Sequence, residues 1–158
     1  MIFVYVDKRY QVHELEPLLK RAALAALKHQ GEEPSAELSL VVTGDAKLKN
    51  LNTQFRGEAH PTDVLSFPSG EERATGKPGY LGDVVISLPR ARVQAKAGGH
   101  SLLEEIQLLT VHGILHLLGH DHSVHEAKLR MWASQDEILR KLGLRIKSPL
   151  AEQSDPGE

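Results

Sequence analysis

Ser101-Leu-Leu-Glu104 opens a helix and Gly119 closes it, and no other segment of this chain constrains the fold as tightly. A serine followed three residues later by glutamate is the capping-box pattern, in which each side chain bonds a backbone N–H of the other's end of the first turn. Glycine permits the backbone reversal that a bulkier residue would resist. The helix from Leu102 to Leu118 therefore carries His112 and His116 four residues apart, on one face and about one turn from each other. After Gly119 the chain turns back, and His122 reaches the same point. Five of the nine histidines fall between positions 112 and 125.

Three neutral imidazoles without a fourth protein ligand is the pattern of a catalytic zinc site, which keeps one tetrahedral position for water or a substrate oxygen. The chain has no cysteine, so a thiolate site, a disulfide framework and a cysteine nucleophile are all excluded. Zinc is the expected ion, one per chain, although nickel, cobalt or copper would accept the same nitrogens. His120 and His125 are alternative third ligands, ranked below His122 because its spacing follows from a helix, a glycine stop and a short return. Asp121 either orients a ligand imidazole or caps the following turn.

The rest of the chain alternates element types without an internal repeat. Strands are expected over Ile2 to Val6, Leu38 to Thr43, Val64 to Phe67 and Val84 to Ser87. Helices are expected over Val12 to Lys28, from an Asp45 N-cap through Leu48, Leu51 and Phe55, and from Pro89 to about Ala97. A last helix, Val124 to Leu142, starts from a second capping box, Ser123 with Glu126, and stops at Gly143; Met131, Ile138, Leu142 and Trp132 are its core candidates. Ser69 to Gly79 reads as a loop. This order predicts an α+β fold: a single domain with a mixed four-stranded sheet, about five helices packed on it, and the metal site at the end of a helix in the C-terminal half.

Length and composition agree, since 158 residues with 41% hydrophobic and 25% charged content is one globular domain, able to bury roughly 70% of its unfolded surface. The domain is expected over 1–147. Residues 148–158 hold three acids and no bases, and are expected to form a disordered acidic tail that leaves the body at a formal +1. The short apolar run at the N-terminus lacks a basic leader or cleavage site and no stretch approaches a membrane span, so a soluble, unexported protein is expected. A net charge of -2 argues against a strongly basic nucleic-acid binder. Lys47, Lys49 and Arg56, then Arg90, Arg92 and Lys96, then Arg140, Lys141, Arg145 and Lys147 still gather locally, as ordinary solvated helix faces also do.

The spacing His112, His116, Gly119, His122 coincides with the extended zinc motif of metzincin peptidases, but the residue after the first histidine is Gly113 instead of the water-activating glutamate. A zincin-like metallopeptidase would have to borrow its base from Glu104 or Glu105, about two turns back on the helix. Taken together, "HGILHLLGHDH" (112–122), "LNTQFRGEAHPTDVLSFP" (51–68) and "GDVVIS" (82–87) resemble the signature blocks of the YbeY endoribonuclease or ribosomal RNA maturation factor family. The order of the blocks, their separation and the chain length fit as well, so the resemblance covers nearly the whole chain apart from the tail. His120 stands where that signature often has tyrosine.

The resemblance implies a bacterial, cytoplasmic, zinc-dependent endoribonuclease directed at single strands. Such an enzyme matures ribosomal RNA, including the small-subunit 3' end, and takes part in ribosome quality control. Its partners are single-stranded and ribosomal RNA and the ribosome or its associated proteins, with no membrane. Carried over by position, His112, His116 and His122 are the metal ligands and Arg56 is the functionally important arginine. A guanidinium there can hold a phosphate through two parallel hydrogen bonds and neutralise charge developing during cleavage, whereas local sequence alone allows a salt bridge or a helix-end cap. Attack by the RNA 2'-hydroxyl and attack by hydroxide both stay open. A non-catalytic ribosome-assembly factor with a structural zinc is a further alternative.

Overall fold

In the computed structural model, residues 1–12, 14–57, 62–69, 79–120 and 124–146 are described, Arg56 by its backbone alone. The elements run β1 (Ile2–Val6), a short 3-10 turn (Lys8–Tyr10), α1 (Leu15–His29), β2 (Glu37–Thr43), α2 (Asp45–Arg56) and β3 (Val64–Pro68). They continue with β4 (Tyr80–Ser87), α3 (Leu88–Gly98), α4 (Leu102–Leu117) and α5 (His125–Lys141). The sheet order is β1-β2-β4-β3, parallel between β1 and β2 and between β2 and β4, and antiparallel between β3 and β4. This is the expected single α+β domain, with a mixed four-stranded sheet and five α-helices among the described residues.

Period-two alternation decides which side of each strand faces which layer. Leu38, Leu40 and Val42 of β2 are fully buried, and Leu40 and Val42 lie in register with Val84 and Ile86 of β4. That face meets Leu19, Ala22 and Ala26 of α1, Ile106, Val111 and Ile114 of α4, and Met131 and Ile138 of α5 in one continuous core. On the opposite face Leu65 and Val85 close over Leu48 of α2 in a smaller cluster. Helix α4 packs against α1, α3, α5, β3 and β4. A helix enclosed in this way must be apolar nearly all round, and its few polar side chains need partners. Thr110 accordingly donates to the Ile106 carbonyl at 2.8 Å, and Gln107 to that of Leu103 at 3.1 Å.

Several boundaries depart from the sequence expectation for local reasons. Helix α1 starts at Leu15 instead of Val12 because Glu14 takes a left-handed φ of 74°. Gly44, not Asp45, is the N-cap of α2; the Asp45 carboxylate accepts from Ser87 Oγ at 2.6 Å and so ties α2 to the start of α3. Strand β4 begins four residues early, at Tyr80, because its first residues pair with Glu37 of β2 and Pro68 of β3. Phe55 has the spacing of a core residue but is 61% exposed, resting edge-on against Phe67 with ring centroids 5.3 Å apart. Ser123 and the expected tail lie outside the described residues, which include Val124 as the N-cap of α5.

Asp7 clamps the exit of β1. Its Oδ1 accepts from the Arg9 backbone N–H at 2.9 Å and from Arg9 Nε at 3.1 Å, and its Oδ2 accepts from Nη2 at 2.8 Å. These bonds from the Arg9 side chain and backbone hold the Asp7 carboxyl at about 2, below its ordinary 3.8. A carboxyl lowered by folding stabilises the native state fully above its unfolded value, and that contribution is lost as pH falls through the folded one. Carboxyl-carbon NMR should therefore show Asp7 titrating near 2; a midpoint near 3.8 would mean the clamp does not persist in solution.

Candidate metal centre

Both ends of α4 are built as its sequence dictates. Ser101 Oγ accepts from the Glu104 N–H at 3.1 Å while Glu104 Oε1 accepts from the Ser101 N–H at 2.9 Å, completing the capping box. At the other end Gly119 takes φ +99°, its N–H donates to the His116 carbonyl at 3.1 Å, and the His120 N–H reaches back to Leu115 at 3.0 Å. These are the paired bonds of a Schellman stop, which a left-handed glycine makes cheap.

His112 and His116 occupy the last turns of this helix, both half-buried, with ring centroids 4.7 Å apart and planes inclined at 68°. Gln135 of α5, a residue that sequence reasoning missed, lies with its Oε1 at 2.9 Å from His112 Nδ1. An amide oxygen only accepts, so the ring carries its proton on Nδ1 and keeps the Nε2 lone pair for another partner. Metal-ligating histidines are typically oriented in this way, one nitrogen donating to a fixed oxygen and the other binding the ion. No local signal reveals Gln135, because it meets His112 only once α5 has folded back across α4.

The donors present fit a borderline ion such as zinc, with two imidazoles one turn apart and the tautomer of one fixed by a buried amide. Among the described residues no three His, Cys, Asp or Glu converge on one point, so neither His120 nor His125 joins the pair. His122 and Asp121 lie outside the described residues. His120 instead turns its Nε2 to Gln30 Oε1, 2.7 Å away on the end of α1. Burial, and then the positive Arg130, push its imidazole below the ordinary range.

The two carboxylates that a peptidase would borrow are already engaged. Glu104 is the capping-box acceptor, and its bond from the Ser101 N–H draws its carboxyl below the usual value. Glu105 is 5% exposed and faces His100 Nε2 at 2.5 Å; burial pushes its carboxyl up. Gly113 points into the sheet, where an added Cβ would lie 2.5 Å from Val84 Cγ1 and 3.3 Å from both Ser66 Oγ and Val64 Cγ2. A side chain at this position would face the sheet, and the water-activating glutamate of the metzincin pattern has no counterpart at Gly113.

Arg56 is the last residue of α2, followed by the left-handed Gly57. Edge strand β3 connects this helix end to the histidine helix: one of its faces carries Phe67 against Phe55, and the other brings Ser66 Oγ to donate to the Gly113 carbonyl at 2.8 Å. The residues beside Arg56 and beside His112 thus flank a single strand.

An α+β domain with a histidine pair on its central, enclosed helix is the class that this fold and site define. Residues 4–143 match the family described as Endoribonuclease YbeY, and the chain belongs to that family. Among curated relatives, the Endoribonuclease YbeY of Pelotomaculum thermopropionicum is 49% identical over 133 residues, covering 82% of this chain and 88% of its own. That of Bacillus licheniformis is 41% identical over 142 residues, covering 85% and 87%. The solution structure of TM1509 from Thermotoga maritima aligns with a TM-score of 0.56 at 26% identity, over 100% of this chain and 99% of that one.

Proposed function

We propose that this chain is a zinc-dependent endoribonuclease that cuts single-stranded RNA, with ribosomal RNA, including the small-subunit 3' end, as its substrate in the cytoplasm. Residues 1–147 form its active body and bind one zinc ion through His112, His116 and His122, while Arg56 holds the scissile phosphate. Ribosome quality control is the process in which this activity acts. The observation that carries the reading is the His112–His116 pair, one turn apart on a helix end, with the Gln135 oxygen at His112 Nδ1 leaving the lone pair of the neutral ring on Nε2. Membership of a family whose relatives bear the name endoribonuclease supplies the reaction class.

When bound, zinc supplies Lewis acidity toward a phosphate oxygen or acidifies water. The chain's own residues do the rest. Gln135 keeps His112 in one tautomer, and the Schellman stop reverses the chain immediately after the helical ligands. The Arg56 guanidinium is suited to hold two phosphate oxygens at once and offset the charge that grows on them. Arginine reads the RNA backbone rather than its bases, which suits a protein with only 4% aromatic residues for stacking.

The test is cleavage of a single-stranded RNA by highly purified, metal-quantified protein beside His116→Ala prepared identically. Zinc near one per chain, with cleavage lost in the variant, is the expected result. Equal cleavage by both preparations would assign the activity elsewhere, and zinc without cleavage would favour an assembly factor with a structural metal. Cleavage of unstructured protein in place of RNA would return the peptidase.

A further inference from the structure

Seven aromatic residues are few for a chain of this length, yet five of them gather on one side of the sheet. Ile2, Val4 and Val6 of β1 turn toward the main core, so alternation turns Phe3 and Tyr5 to the other face, the one on which α2 lies. Phe3 is in register with Ser39, Ser39 with Asp83 and Asp83 with Phe67, which makes one row across all four strands. The row measures roughly 14 Å from edge strand to edge strand. The Tyr80 hydroxyl donates to the Asp83 carboxylate and lies 2.5 Å from Ser39 Oγ, so its ring belongs to the same face. Phe55 joins the row from α2 through its edge contact with Phe67. Helix α2 packs over β3 and β4, where Leu65 is 3% exposed, whereas Tyr5, in the same cross-strand row as Leu65, is 59% exposed on β1.

The charges around these rings select an occupant. Helix α2 borders them with three bases and one acid; the acid, Asp45, accepts from Ser87 and faces Arg90 at 3.8 Å, while Lys47 and Lys49 are exposed. Asp83, the carboxylate within the row, repels phosphate but accepts from the amino groups of bases. A polymer with flat bases on one side and phosphates on the other meets both conditions, its bases on the rings and its backbone along α2. We infer that this face is a binding track for single-stranded RNA beside the cleavage point, with bases stacked on the rings between Phe55 and Tyr5. The inference rests on the proposed function for its occupant, and the track is continuous with that site because Phe55 immediately precedes Arg56. Four-stranded sheets that bind RNA stack about two or three bases in this manner. Such stacking tolerates any sequence, since every base has a flat π face.

The experiment follows binding of a fluorescently labelled single-stranded oligoadenylate to the full chain by anisotropy. The probe's 2'-hydroxyls are methylated so that the sugar cannot attack, and a gel checks that it is recovered intact. Tyr5→Ala and Phe55→Ala should each weaken binding by about tenfold, the scale of one lost base stack. Both rings are more than half exposed, so melting temperatures should hold. Tyr5→Trp should keep the parent affinity and Tyr5→Leu should not, because leucine is apolar but offers no flat face. On a probe of the same length without bases, parent and variants should bind alike. Affinity of Tyr5→Ala within about twofold of the parent on oligoadenylate would overturn the track. An equal loss on the baseless probe would overturn it too, by making the effect one of charge or fold. A parent that sediments as a dimer, with Tyr5→Ala monomeric and its RNA affinity unmoved, would give the face to a second copy of the chain. A parent that binds the probe through Tyr5 but cuts no RNA sinks the proposed reaction and leaves the track; one that cuts RNA but binds the probe no better than Tyr5→Ala does sinks the track alone.

Discussion

Gly113→Glu will not accumulate as a folded protein, and so will not turn the histidine helix into that of a peptidase. The Cβ alone would come within 2.5 Å of Val84 Cγ1, on a fully buried valine of a central strand with little room to retreat. Gly113→Ala gains about 1 kcal/mol of helix propensity but incurs an overpacking cost of about 1–3 kcal/mol, so a modest drop in melting temperature is expected. Glutamate adds a carboxylate facing the sheet, at a cost of several kcal/mol whether it ionises or binds a proton, against a total stability of about 5–15 kcal/mol. Soluble yield and thermal melting check both variants. A Gly113→Glu protein that melts like the parent would show that α4 does not lie against β3 and β4 as described.

The second large effect is expected at Arg56. Arg56→Ala should reduce RNA cleavage by about a hundred- to a thousandfold, the scale of losing one preorganised group that stabilises developing charge. Zinc content and melting temperature should stay unchanged, because Arg56 ends a helix and is not among the proposed ligands. Arg56→Lys should recover only part of the rate, since an ammonium keeps the charge but not the planar fork that meets two phosphate oxygens. Single-turnover cleavage, with zinc measured on the same samples, decides the matter. An Arg56→Ala enzyme cutting at the parent rate would reduce this arginine to the salt bridge or helix-end cap that its local sequence also permits.

What the sequence made legible was mainly what short-range chemistry decides. The capping box at Ser101 and the stop at Gly119 are complete within a few residues, and the His112–His116 pairing follows from helix geometry alone. Alternation located the strands, but β4 was read short because the pairing of its first residues with Glu37 and Pro68 leaves no local trace. Asp45 shows the same limit: a serine on another element takes its carboxylate away from the cap that the local pattern suggested. Gln135 and Gln30 were invisible for the same reason, being ordinary helix glutamines until the fold carries them to His112 and His120. Gly113 was noticed for the glutamate it lacks, and the structure supplies the steric reason. Arg56 came from the resemblance alone, since no local pattern separates a phosphate-holding arginine from any other cation at a helix end.

The enclosure of α4 by three helices and two strands bears on the order in which folding and metal uptake would occur under the proposed function. Segments with dense buried contacts are the last to open in native-state fluctuations, and amides along such a helix exchange with solvent only when the whole domain unfolds. His112 and His116 therefore share the fate of the core, unlike the ligands of a zinc finger, which come together only when the metal does. For the proposed ligand set, chelation should leave a folded apoprotein that retains two ligands in place and recharges without refolding. Metal loss in the cell would then idle the enzyme and leave it intact.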